Sequence, residues 1–121
     1  MLREIKPVKQ VRGEPKKRWF SDDDFDLMVW LDRKGGIVGF ELCYDKHEDQ
    51  HAIRWQKPST YTHHRVDDGE GRVGRMKATP ILLEDGAFEF TRIATLFRDQ
   101  SKDLEAQISS FVYEKLMQYP V

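Results

Sequence analysis

Apolar and polar residues alternate most cleanly between Phe25 and Tyr44. Phe25-Asp-Leu-Met-Val-Trp-Leu-Asp32 and Ile37-Val-Gly-Phe-Glu-Leu-Cys-Tyr44 flank Arg33-Lys34-Gly35-Gly36, the pattern of a β-hairpin. Setting Leu31 against Val38 places Val29 against Phe40, Leu27 against Leu42 and Phe25 against Tyr44, with an apolar residue at each position. A slip of one residue would set Val29 against Glu41, so the register is strongly specified. The second face of this hairpin presents Met28, Trp30 and Ile37 among Asp26, Asp32 and Glu41, with Trp30 opposite Gly39.

Beyond the polar stretch 45–50, His51–Lys57 predicts a third strand that Pro58 ends, and Ser59–Val66 a fourth, rich in β-branched and aromatic residues. A glycine-rich, charged loop covers 67–75, and Met76–Leu83 predicts a fifth strand that Pro80 confines to an edge. The period then changes from two to 3.6. Phe90, Ile93, Ala94 and Phe97 form one helical stripe, and Leu104, Ile108, Phe111, Val112 and Leu116 form another, with Asp103 as its expected N-cap. Two apolar helix stripes and one apolar sheet face need one another. The expected fold is α+β: a four- or five-stranded antiparallel meander with both C-terminal helices on one face.

Residues 1–18 break the alternation. Seven Lys or Arg stand there against two Glu, with Pro7 and Gly13 opposing a helix, so they read as a basic, flexible arm, extended or disordered, before one domain over 19–121. The net charge of −1 therefore conceals an arm of +5 and a remainder of −6. A mildly acidic body argues against a dedicated nucleic-acid-binding domain and leaves only weak binding through the arm and Arg72–Lys77. Cys43 is the single cysteine, which excludes an intrachain disulfide and a thiolate-rich zinc site and suits a reducing cytoplasm. No apolar run approaches the ~20 residues that cross a bilayer, and the start of the chain lacks a signal peptide's apolar stretch.

Several motifs carry chemistry in other contexts. His47-Glu-Asp-Gln-His51 matches H-E-x-x-H, but a metalloprotease needs those histidines one helical turn apart, and the surroundings here predict a hairpin loop. Gly69-Glu-Gly-Arg-Val-Gly74 matches G-x-G-x-x-G without the strand and helix that would put a pyrophosphate on a helix N-terminus. Counting from Asp22, an EF-hand loop would have Leu27 at its glycine and Arg33 at its glutamate, which excludes it. Neither a metal nor a cofactor is expected. Carboxylates beside Cys43 disfavour a nucleophilic thiolate.

One group remains as a candidate ligand site. Tyr61, His63 and Arg65 share one face of the fourth strand and His64 lies on the other, with Asp67, Asp68, Arg72 and Arg75 in the loop beyond. A histidine oriented by a carboxylate, next to arginine forks, suits a small anionic ligand. A second candidate is the face around Met28 and Trp30, joined by Trp55 if the third strand's register allows, as a homodimer interface.

The stretches Arg18-Trp-Phe-Ser-Asp-Asp-Asp-Phe-Asp-Leu-Met-Val-Trp30, Gly39-Phe-Glu-Leu-Cys-Tyr-Asp-Lys46 and His63-His-Arg-Val-Asp-Asp-Gly-Glu70 together resemble a family of short uncharacterised bacterial proteins. The resemblance implies a bacterial cytoplasmic protein and brings no activity, cofactor or catalytic residue. The leading expectation is a non-enzymatic module that self-associates through the open sheet face. An anion-binding protein or small enzyme built on the His63 group is the alternative.

Overall fold

The computed structural model describes residues 1–67, 81–84 and 88–120. Its strands are β1 (Arg3–Ile5), β2 (Lys16–Ser21), β3 (Asp26–Leu31), β4 (Ile37–Tyr44), β5 (His51–Gln56), β6 (Thr60–Asp67) and β7 (Ile81–Glu84), followed by helices α1 (Phe90–Gln100) and α2 (Ala106–Met117). Every strand pairs antiparallel with its sequence neighbours, giving one seven-stranded meander in the order β1 to β7. The α+β class is as expected, but the sheet is wider than four or five strands. The extra width comes from the N-terminal segment. Within the expected fifth strand, Ile81–Leu83 are paired in β7, and residues 76–80 lie outside the described residues.

Residues 1–18, read from the sequence as an arm, supply β1 and the first half of β2. Leu2 is fully buried in the core, and its amide donates to the Gln100 carbonyl at the end of α1. Arg18 joins this segment to the helices: its guanidinium grips both oxygens of Glu4 at 2.9 and 2.8 Å and reaches Glu105 at 2.7 Å. β1 is too short to cover the whole edge of β2. Gln10 completes the cover with its side-chain amide, accepting from the Lys17 amide and donating to the Lys17 carbonyl, both at 2.8 Å. This blunts an edge that would otherwise present free ladder groups to another chain.

In the central hairpin, Leu27 faces Leu42, Val29 faces Phe40 and Trp30 faces Gly39, as the alternation requires. Between Trp30 and Leu31 the register shifts, so that Leu31 faces Ile37 rather than Val38. One extra residue reverses which face the following side chain takes. Ile37 is accordingly buried at 5% exposure and does not join Met28 and Trp30 on the open face. Gly39 is also closely approached by the neighbouring strand. A Cβ there would meet the Trp55 carbonyl oxygen at 3.0 Å.

The core lies between one sheet face and the two helices. Phe20, Leu27, Val29, Phe40, Leu42, Ile53 and Trp55 meet Ile93, Ala94 and Phe97 of α1 and Ile108, Val112 and Leu116 of α2. Phe25 meets Phe97 edge-on at 5.9 Å and Trp55 meets Phe111 at 5.2 Å. α2 begins later than its stripe implies. The Leu104 amide bonds back to the Ser101 carbonyl, and Glu105 rather than Asp103 holds the N-cap position, without a side-chain cap. Among the described residues no helix is long and apolar enough to cross a membrane.

Two outcomes test the place of the N-terminal segment. Leu2→Ala should lower the unfolding free energy in urea by roughly 2–4 kcal/mol, the cost of a buried cavity, whereas a loose arm would give no change. The Arg18 hydrogen bonds hold the Glu4 carboxyl below its ordinary value. Its stabilisation is thus present above the unfolded-state carboxylate pKa and is lost as pH falls through the lowered folded value. Glu4→Gln should flatten that part of the acid limb in a stability-versus-pH curve.

Candidate functional site

The sheet presents two unlike faces, each built row by row from the strand register. On the face away from the helices, one row runs Ile5, Trp19, Met28, Glu41, Arg54, Thr62. Beside it run Lys17, Trp30, Gly39, Gln56 and Thr60, and on the other side Ser21, Asp26, Cys43, Ala52 and His64. Ile5, Trp19, Met28 and Trp30 thus form a contiguous apolar strip over β1–β3, all half-buried by one another. Among the described residues no helix lies over it.

The polar groups of this face pair with each other. Arg54 donates to Glu41 at 2.6 and 3.0 Å and sits over the Trp30 ring, 5.5 Å from its centroid, where the ring quadrupole attracts the cation. Asp26 accepts from Ser21 Oγ at 2.6 Å and from Trp19 Nε1 at 3.3 Å, and Lys46 lies 3.3 Å from it. Cys43 lies beside this group. Burial first, then Glu41 and Asp26, push its thiol up to about 12, so it stays protonated and inert at neutral pH.

The helix-covered face gathers a different set at one end of the sheet. Tyr44, His51 and Arg65 lie across β4–β6 in register, with His63 one step inward opposite Ile53. Tyr44 Oη and His63 Nε2 share a hydrogen bond of 2.5 Å, and the His51 ring stacks at 5.7 Å from Tyr44 and 5.3 Å from His63. Phe88 closes over His63 at 5.1 Å and Tyr119 over Phe88 at 4.9 Å. His63 is 5% exposed. A histidine held between aromatic rings and bonded through Nε2 to a buried phenol has that nitrogen satisfied within the core.

The residues singled out from sequence are therefore dispersed. Tyr61 lies on the helix side, where its hydroxyl donates to the Lys115 carbonyl of α2 at 2.7 Å and burial raises its pKa. His63 is in the core, Arg65 is exposed on the same side, and His64 points to the opposite face. Asp67 ends β6, while Asp68, Arg72 and Arg75 lie outside the described residues. Met28 and Trp30 are on the open face as expected. Trp55 is not: its register partner is Phe40, which places it in the core at 3% exposure, stacked on Phe40 and capped by Lys115 Nζ at 4.9 Å. Ile5 and Trp19 complete the apolar strip in its stead. Trp19 is visible in sequence as the aromatic that directly follows the basic run Lys16-Lys17-Arg18 of β2, but only strand pairing aligns it with Met28.

His47 and His51 lie in and after the β4–β5 turn, where His51 Nδ1 is 2.7 Å from the Asp49 carbonyl oxygen and its ring is committed to the aromatic stack. Among the described residues no group of three or more His, Cys, Asp or Glu is arranged to hold a metal ion.

Tyr44→Phe should cost roughly 1–2 kcal/mol in urea denaturation through loss of the His63 bond, with the fold retained by circular dichroism. The Cys43 thiol should resist a disulfide reagent at pH 8 and react only on unfolding, and prompt labelling of the native protein would contradict its assigned environment. No protein-family model, no curated protein and no solved structure matches this chain.

Proposed function

We propose that this protein is a small non-enzymatic interaction module that pairs with a second copy of itself through the open face of its sheet. The observation that carries the reading is the apolar strip Ile5, Trp19, Met28 and Trp30 on a face without a helix among the described residues. Contiguous apolar surface with aromatic members is what interface cores are made of. The charges around the strip favour a copy of the same chain as the partner. Arg54 with Glu41 and Lys46 with Asp26 are pairs of opposite sign, so beyond Lys17 at its border the strip carries little single-sign field to repel a second molecule. A two-fold axis through the strip lays apolar side chains on their own equivalents, the requirement of an isologous dimer.

An anion site or enzyme on the histidine group has less support, because His63 is closed beneath Phe88 and His64 faces the other way. The lone Cys43 supports a reducing, cytoplasmic setting, and the resemblance to short bacterial proteins agrees with it.

Sedimentation equilibrium from about 1 to 100 μM tests the reading. The native chain should approach dimer mass. Met28→Lys should weaken association at least roughly tenfold, as expected for a charge placed in a desolvated interface centre, and keep its far-ultraviolet spectrum. Met117→Lys, on an exposed position of α2, should leave the dimer unchanged. A native chain that stays monomeric throughout the range refutes self-association.

A further inference from the structure

The meander sorts charge between the two ends of the sheet. Connections β1–β2, β3–β4 and β5–β6 lie at one end and carry Lys6, Lys9, Arg12, Arg33, Lys34 and Lys57 against Glu14 and Asp32. At the other end, β2–β3 and β4–β5 carry Asp22, Asp23, Asp24, Asp45, Glu48 and Asp49 against Lys46. Strands of six residues separate the ends by about 20 Å, more than twice the Debye length of about 8 Å at physiological ionic strength. The basic end therefore acts on a partner with little cancellation from the acidic one.

At that end the loop over 6–15 folds back on β2 and leaves two adjoining hollows of about 470 and 590 Å3. Their apolar lining is aliphatic or proline: Val8, Val11 and Leu31 with Pro7 and Pro15. Val11 is 45% exposed. Lys6, Lys16 and Arg33 supply the cations; Lys17 also lines the groove but stands beside Trp30 in the open-face row, and Arg18 is already paired with Glu4 and Glu105. Two of the three carboxylates present are already engaged. Glu4 is held by Arg18, and Asp32 accepts the backbone amides of Lys34 and Gly36 in its own turn, which lowers its pKa. Lys16, Lys17 and Arg33 make no ion pair among the described residues, and the Gln10 bonds to Lys17 keep the loop in place.

From this we infer that the groove beneath the 6–15 loop binds an acidic polypeptide segment bearing an aliphatic anchor, on a surface centred away from the proposed dimer strip, which it meets at Lys17. The cations Lys16 and Arg33 meet its carboxylates, and the Val8, Val11 and Leu31 hollow takes the anchor. The chemistry of the lining selects polypeptide over single-stranded nucleic acid, because the groove offers no aromatic ring on which a base could stack. Charge supplies the encounter rate and orientation, and the apolar hollow supplies affinity.

Fluorescence anisotropy with a fluorescein-labelled peptide of Asp, Glu and Leu tests this in buffer of low salt. Saturable binding should weaken at least roughly tenfold in the double variant Lys16→Glu with Arg33→Glu, and likewise on raising salt to about 200 mM. Val11→Asp, at an exposed position, should weaken it as well while circular dichroism shows the fold intact. The same measurement on Met28→Lys should give unchanged affinity, which separates this site from the dimer face. No saturable binding at low salt, or binding indifferent to the double variant, overturns the inference. Tighter binding of a labelled oligothymidylate makes nucleic acid the occupant and also overturns it. So does low-salt polymerisation abolished by the double variant, which would make the acidic end of another copy the occupant.

Discussion

The alternation of β3 and β4 about the pairs Leu27–Leu42 and Val29–Phe40 is the constraint on which the remaining structure depends. With a side-chain period of two, fixing those pairs fixes the face of every residue on five further strands, because each strand is registered on its neighbour. The same register that drives Phe20, Ile53, Trp55 and His63 towards the helices turns Trp19, Met28, Arg54 and His64 outward. Core and open face are thus one decision. The shift at Trp30/Leu31 is the one described break in the hairpin's register, and it adds Ile37 to the core without disturbing the rows below it.

The two faces handle polar groups in opposite ways. On the buried side, His63 is retained among aromatic rings by its bond to Tyr44, and Tyr61 is retained by a helix carbonyl. Such groups tolerate burial because their partners are preformed. On the open side, Arg54, Glu41, Asp26 and Lys46 pair laterally and lie over apolar neighbours, so the strip around Trp30 is framed by groups whose charges are already balanced. That arrangement is the one the proposed self-association draws on.

Turn charges are sorted between the two ends. An antiparallel meander places alternate connections at opposite ends, so basic turns β1–β2, β3–β4 and β5–β6 and acidic turns β2–β3 and β4–β5 make the described sheet polar along the strand direction despite the net charge of −1. The N-terminal segment contributes half of the cations in the basic turns, and it is anchored through Leu2, Arg18 and Gln10. Its basic residues are held as a surface on the domain.

The sequence by itself determined the elements whose period is their own: the hairpin pairs Leu27–Leu42 and Val29–Phe40, the alternation of β5 and β6, the stripes Ile93, Ala94, Phe97 and Ile108, Val112, Leu116, and the α+β order, while the bulge that pairs Leu31 with Ile37 was not legible. It also marked Met28 and Trp30 as outward, because their parity opposes that of Leu27 and Val29. Tertiary structure decided what depends on a partner distant in the chain. Residues 1–18 have no periodic signal, and they join the fold because Leu2 finds a site beside Gln100 and Arg18 finds Glu4 and Glu105. The side taken by Trp55 depended on its pairing with Phe40, which its own strand does not specify. The His63–Arg65 group read as one site along the strand, yet burial separated it, since adjacent residues in a strand face opposite ways and a helix covers only one of them. Local pattern reports parity, and only packing against the helices decides which parity is inside.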